Sequence, residues 1–143
     1  MMEAREDRKP LRVLMPLRVQ TYDIDFAGHV NNQVYVRWLE DLRMEMLRLH
    51  YPIERLMAEG LAPILATTHV EYKRSLVLGD NPEGEMWVTK MGRATCHLHA
   101  EIRLGEAVCA LAHQRIILLN IGTTRPARFP APMVARFESD NAA

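Results

Sequence analysis

The order of sequence patterns predicts an α+β fold in which a curved, mostly antiparallel sheet wraps around one long α-helix. Two observations carry that prediction. A single extended amphipathic helical pattern occupies residues 35–49, and from Ala62 onward the chain reads as β-structure broken by short turns. Strands joined by short turns pair antiparallel, and a helix that is apolar over a wide arc needs a curved sheet to enclose it.

The first strand is expected over Leu11–Thr21, where Leu11, Val13, Met15, Leu17 and Val19 are apolar and Arg12, Arg18 and Gln20 alternate with them. In the long helix, Tyr35, Trp38, Leu39, Leu42, Met46 and Leu49 recur at three- and four-residue steps, with Arg37, Glu40, Asp41, Arg43 and Arg48 filling the other arc. Asn31 or Asn32 supplies the N-cap, and Pro52 stops the helix because a residue before proline disfavours the α region. "YPIERLMAEG" reads as a short helical turn closed by Gly60. The β-rich stretch "PILATTHVEYKRSLVLGD" ends at the Gly79–Pro82 turn, and "GEMWVTKMG" follows. From Cys96, the side chains of Leu98, Ala100, Ile102 and Leu104 share one face, and His97, His99, Glu101 and Arg103 share the other. A turn at Gly105-Glu106 leads into the last long strand, "AVCALAHQRIILLN". The proline-punctuated tail, residues 121–143, is expected to be a tethered or frayed extension of a single domain whose core spans about residues 10–120.

Composition narrows the function classes. The 143 residues are 48% hydrophobic and 25% charged, enough for one domain with a substantial core. Eighteen basic residues balance eighteen acidic ones and are spread along the chain, so no nucleic-acid-wide basic footprint exists. The charged start "MMEAREDRKP" has no apolar signal region and no run approaches a membrane span, which points to the cytoplasm. Cys96 and Cys109 lie among apolar neighbours and read as buried reduced thiols. His97 and His99 share a strand face, but no ligand spacing completes a metal set with His69 and His113. An isolated sheet of this size leaves edges and one face uncovered, which predicts a homodimer or homotetramer.

The chemistry concentrates in "YDIDFAGHVNNQVYVRWLED", residues 22–41, which packs more polar residues before a helix than capping requires. Negative charge developing on a carbonyl oxygen under attack is stabilised by backbone N–H groups near a helix N-terminus, making the amides of Gly28, His29 and Val30 candidate oxyanion donors. Gly28 lets the chain approach a ligand, and Asp25 lies three residues upstream as candidate nucleophile or general base. Asn31 and Asn32 serve as caps, with one of them placed to orient Asp25 or meet the reacting group. Tyr35 and Trp38, one turn apart, fit both the core and a substrate contact at the head of the helix.

The element order and the string D-I-D-F-A-G-H-V-N-N-x-x-Y-x-x-W-x-E-x-x-R, residues 23–43, resemble the hotdog-fold thioesterases, in particular the 4-hydroxybenzoyl-CoA thioesterase-like group of small bacterial acyl-CoA thioesterases. The likeness covers the chain to about Asn120. It implies a hotdog fold, hydrolysis of an acyl-CoA to CoA and a carboxylic acid, and Asp25 as the catalytic carboxylate, acting either through an acyl-enzyme anhydride or as a base. An acyl carrier protein is an alternative carrier. A related string in plant acyl-carrier-protein thioesterases puts functional Asp, Asn and His at positions 25, 27 and 29; here Ala27 breaks the match and leaves His29 chiefly an amide donor. The family's basic residues near strand ends correspond to Lys73, Arg74 and Arg93, which would pair with CoA phosphates. The resemblance calls for no metal or redox cofactor. The competing class is a non-catalytic acyl-CoA-binding protein, which has no need for the Asp25 carboxylate.

Overall fold

The computed structural model describes all 143 residues. Its elements are β1 (Met2–Glu3), β2 (Val13–Pro16), a 3-10 turn (Thr21–Asp23), α1 (Asn32–His50), α2 (Ile53–Ala58), β3 (Leu61–Tyr72), β4 (Glu83–Met91), β5 (Thr95–Leu104), β6 (Ala107–Asn120) and α3 (Ala131–Ala142). All strand pairs are antiparallel; the sheet runs β1-β4-β5-β6-β3, with β2 also on β4. This is the α+β hotdog arrangement, with α1 held in the concave face of the sheet.

Helix α1 begins where the Asn31 side chain accepts the Gln33 N–H at 2.9 Å, and it ends at Tyr51, just before Pro52. Its buried stripe of Leu39, Leu42 and Met46 packs with Met86, Val88, Leu98 and Ala100 of the sheet, while Trp38 packs with Ile102, Cys109 and Ala110. The closest approach is at Gly84, where a Cβ would sit 3.0 Å from a Leu42 methyl, so the helix lies against β4 only because that position lacks a side chain. Along β5, Cys96, Leu98, Ala100 and Ile102 are buried and His97, His99, Glu101 and Arg103 face outward, as the alternation predicts.

Two elements differ from the sequence reading. Strand β2 spans four residues rather than eleven: Leu11 adopts a positive φ of 54°, and Pro16, lacking an N–H, sits at the strand's end. The tail is no frayed extension. It folds into α3 after Pro130 and docks through Met133 and the fully buried Phe137, which lie one turn apart, with Phe129 packed ahead of them. Asp140 and Asn141 then accept the amides of Leu11 and Arg5, tying the C-terminus to the N-terminal segment.

On the outer sheet surface Glu85 is wholly buried beneath Lys9, Arg12 and Arg103. Burial alone would raise its pKa, but the three cations outweigh it and bring the carboxyl down to about 2. Strand β3 stays an uncovered sheet edge with Ile64, Leu65 and Tyr72 exposed. No helix is long and apolar enough to cross a membrane.

Candidate active site

Residues 22–31 form a small hairpin that presents Asp25 at the open end of the sheet. Ile24 and Val30 pair across it, the Asp25 amide donates to the His29 carbonyl (2.8 Å), and the Gly28 amide donates to the Asp25 carbonyl (3.0 Å), closing a four-residue turn. Gly28 takes φ 81°, a conformation that costs glycine least. The hairpin is anchored by Asp23, which is 1% exposed. Its carboxylate receives both Arg37 Nη atoms at 3.1 Å and the Gln20 amide at 2.8 Å, and its carbonyl accepts the Asn31 amide. Burial opposes this carboxylate, yet Arg37 and the Gln20 amide outweigh burial and hold its pKa below the ordinary value. Asp23 therefore fixes the loop, and Asp25 is the carboxylate left facing outward.

Asp25 uses its two oxygens differently. Oδ1 accepts the Ala27 amide at 2.9 Å and the His29 amide at 3.3 Å, while Oδ2 has no partner within the chain. Of the amides at the head of α1, those of Asn31, Gln33 and Val34 are bonded to Asp23, the Asn31 side chain and the Asn31 carbonyl. The Asn32 amide is the one without a protein acceptor.

The Val30 amide corrects the sequence reading. It donates to the Leu76 carbonyl at 2.8 Å, so it is spent on holding the hairpin to the 73–80 loop and is not a free oxyanion donor. The Gly28 amide is likewise engaged within the turn.

The chain matches the family model described as the thioesterase-like superfamily over residues 19–137. It belongs to that superfamily. Over 125 residues it is 29% identical to the acyl-CoA thioester hydrolase YbgC of Escherichia coli O6:H1, covering 86% of this chain and 93% of that protein. A 79-residue stretch, 54% of this chain, is 33% identical to a protein of Aquifex aeolicus named as an esterase, of which the chain spans 62%. Among solved structures, a thioesterase from Thermus thermophilus complexed with coenzyme A and zinc superposes with a TM-score of 0.79 at 23% identity, covering 96% of this chain and 98% of that one.

In this thioesterase the remaining predicted site residues divide by place. Lys73 and Arg74 are exposed and follow β3 directly; their amides bond the Cys109 carbonyl, which puts them at the same end of the sheet as the hairpin. Arg93 does not join them. It lies in the β4–β5 turn, and β5 runs ten residues from there to the Gly105 end, roughly 30 Å away at the usual strand rise. A site built within one subunit therefore excludes it. Tyr35 and Trp38 take the core half of their reading and not the substrate contact: they are 3% and 2% exposed and packed edge to face at 5.3 Å among Val34, Leu76 and Cys109. Burial pushes the Tyr35 hydroxyl up to about 12, so it stays neutral.

The structure adds residues that the sequence did not single out. Phe26 is fully exposed at the tip of the turn beside Asp25, Tyr22 is largely exposed, and the Tyr72 hydroxyl donates to the Asn32 carbonyl at 3.1 Å. No periodicity marks an exposed aromatic in a turn. On the outer face His69, His113 and His99 line up across three strands, with His99 and His113 Nδ1 atoms 3.4 Å apart, but no three His, Cys, Asp or Glu side chains are placed to hold a metal ion.

Proposed function

We propose that this thioesterase hydrolyses acyl-CoA thioesters with Asp25 as general base, the observation that carries the reading being an unpartnered Asp25 Oδ2 on the hairpin together with an unpartnered Asn32 amide at the head of α1. With Oδ1 tied to the turn, Oδ2 takes a proton from a water that attacks the thioester carbon. The Asn32 amide, at the positive end of a 19-residue helix, holds the oxyanion. Collapse breaks the C–S bond, and the proton on Asp25 passes to the departing thiolate, giving CoA and the carboxylic acid. Gly28 keeps the turn free of a side chain where the thioester approaches, and the rings of Phe26 and His29 flank it. Lys73 and Arg74 supply charge for the CoA phosphates from the adjoining loop.

The same reading includes a homodimer. The twelve-residue edge of β3 has unpaired backbone groups and exposed Ile64, Leu65 and Tyr72, and an antiparallel second copy of β3 satisfies both about a two-fold axis. Because Tyr72 reaches Asn32, that partner would stand beside the hairpin.

The test is hydrolysis of a panel of acyl-CoAs by the wild type and Asp25→Asn, following released thiol. A loss of about 10²-fold or more in kcat, on the order of 3 kcal/mol of transition-state stabilisation, is expected with unchanged thermal unfolding. A fully active Asp25→Asn protein would sink the assignment. Tight binding of acyl-CoA without turnover by the wild type would make the protein a binding module.

A further inference from the structure

We propose that the apolar cavity between α1, β3 and α3 is a chain-length gauge that admits the far end of a long, unbranched acyl chain, of decanoyl length or more; this rests on the acyl-CoA hydrolase reading above. Protein interiors are close-packed, so a void of about 310 Å³ lined almost wholly by apolar side chains calls for an occupant. It is twice the roughly 150 Å³ at which an apolar cavity already takes up a benzene-sized guest.

Its position fits a chain whose thioester lies at Asn32. Strand β3 runs antiparallel to α1: Tyr72 bonds Asn32 at the helix start, and Ile64 and Leu65 join Met44 and Leu47 of α1 around the cavity. Between these ends the exposed Val36 marks an apolar path along the helix. Of the α1 residues that line the cavity, Glu40 and Arg43 come first from Asn32, and the chain would enter there. Arg43 is steadied there by Gln114 (2.8 Å), which in turn bonds Thr68 (3.2 Å), leaving the arginine's methylene stem to line the passage. From Asn32 to Glu40 the helix rises about 12 Å. A zigzag of C–C bonds near 1.5 Å advances about 1.25 Å per carbon, so about ten carbons span that distance. Shorter acyl groups end before the mouth. Phe129 and Met133 of the C-terminal segment line the cavity too, and would meet the chain's end; their helix is pinned by the Asp140 and Asn141 contacts with Leu11 and Arg5. Cys96, a buried thiol that burial pushes up to about 12 and that is therefore inert, lines the wall between.

The experiment measures kcat/KM for straight-chain acyl-CoAs from acetyl to stearoyl and for benzoyl-CoA. A climb of about fourfold per methylene beyond decanoyl, ending where the cavity is full, is expected. Cys96→Phe should lower palmitoyl-CoA hydrolysis at least about tenfold and leave octanoyl-CoA unchanged, which also certifies that the variant folds. Met133→Ala, which lengthens the cavity, should move the optimum toward longer chains. A wild-type optimum at short or aromatic acyl groups, or Cys96→Phe acting equally on octanoyl and palmitoyl substrates, overturns the gauge while leaving the hydrolase reading intact. If no acyl-CoA is hydrolysed, the hydrolase reading fails, and displacement of a fluorescent long-chain fatty acid by palmitoyl-CoA decides the cavity: displacement by palmitoyl-CoA but not octanoyl-CoA supports it, and none overturns it.

Discussion

Replacing Asp23 by Asn tests whether a buried ion pair holds the hairpin that carries Asp25 in place. The carboxylate makes three charge-assisted hydrogen bonds, two to Arg37 at 3.1 Å and one to the Gln20 amide at 2.8 Å. Such bonds are worth about 1.5–3 kcal/mol each when fully buried. Arg37 is 46% exposed, so solvent screens its share, and an amide still accepts from Gln20 and one Arg37 nitrogen; a net cost of about 2 kcal/mol follows. For a chain of this size that lowers Tm by about 6 °C. The pH dependence separates charge from packing. The folded pKa of Asp23 lies below its ordinary 3.8, so its contribution is complete above the unfolded pKa and disappears as pH falls through the folded value. Thermal or urea unfolding of wild type and Asp23→Asn should therefore show the full gap at pH 7, a shrinking gap below about pH 4, and near coincidence in stronger acid. A gap that persists undiminished in acid would assign the cost to packing; no gap at pH 7 would mean that the clamp carries nothing. Because Asp23 would act on catalysis through the hairpin, Asp23→Asn should lower kcat in the acyl-CoA assay while leaving the shape of the pH–rate profile in place.

Two further outcomes follow from the packing. Phe137→Ala empties a fully buried site under α3 and should cost about 3–4 kcal/mol in urea unfolding; an unchanged midpoint would mean that α3 is not docked in solution. Lysines at the exposed edge positions Ala66 and His69 set like charges across a β3–β3 pairing and should convert a dimer to monomer in light scattering; a dimer that survives both places the interface elsewhere.

The central layout was legible because it rests on local periodicity. The three- and four-residue recurrence in α1 and the alternation of β5 each state which face is buried before any partner is known. What escaped the sequence depends on contacts distant along the chain. Met133, Val134 and Phe137 make too short an apolar stripe for a helical signal among prolines, and α3 docks because the core offers them a site. Arg93 and Lys73 both look like basic residues near strand ends; the topology decides that one lies beside the hairpin and the other roughly a strand length away. Around the candidate site, the helix cap at Asn31 was legible because capping is a local bond. Which amides remain free was not legible, since Val30 loses its donor to Leu76, 46 residues on, and no spacing rule reports that bond.

Helix α1 also separates two tasks along its length. Its first turn supplies the polar end, with Asn32 next to the hairpin in the chain, and its second half walls the cavity with Met44, Met46 and Leu47. Residues of the C-terminal segment, Met133 and Phe129, touch neither Asp25 nor Asn32, and sites more than about 7–10 Å apart without shared partners contribute additively. On the proposed chain-length reading, substitutions there should change the free energy of holding the acyl tail without altering the charge or hydrogen bonds of the hairpin. Since that tail is held alike in the ground and transition states, its binding alone acts on KM, and only through drawing the thioester onto the Asn32 amide does it reach kcat. A rigid 19-residue helix spanning both ends gives this thioesterase the means to couple them.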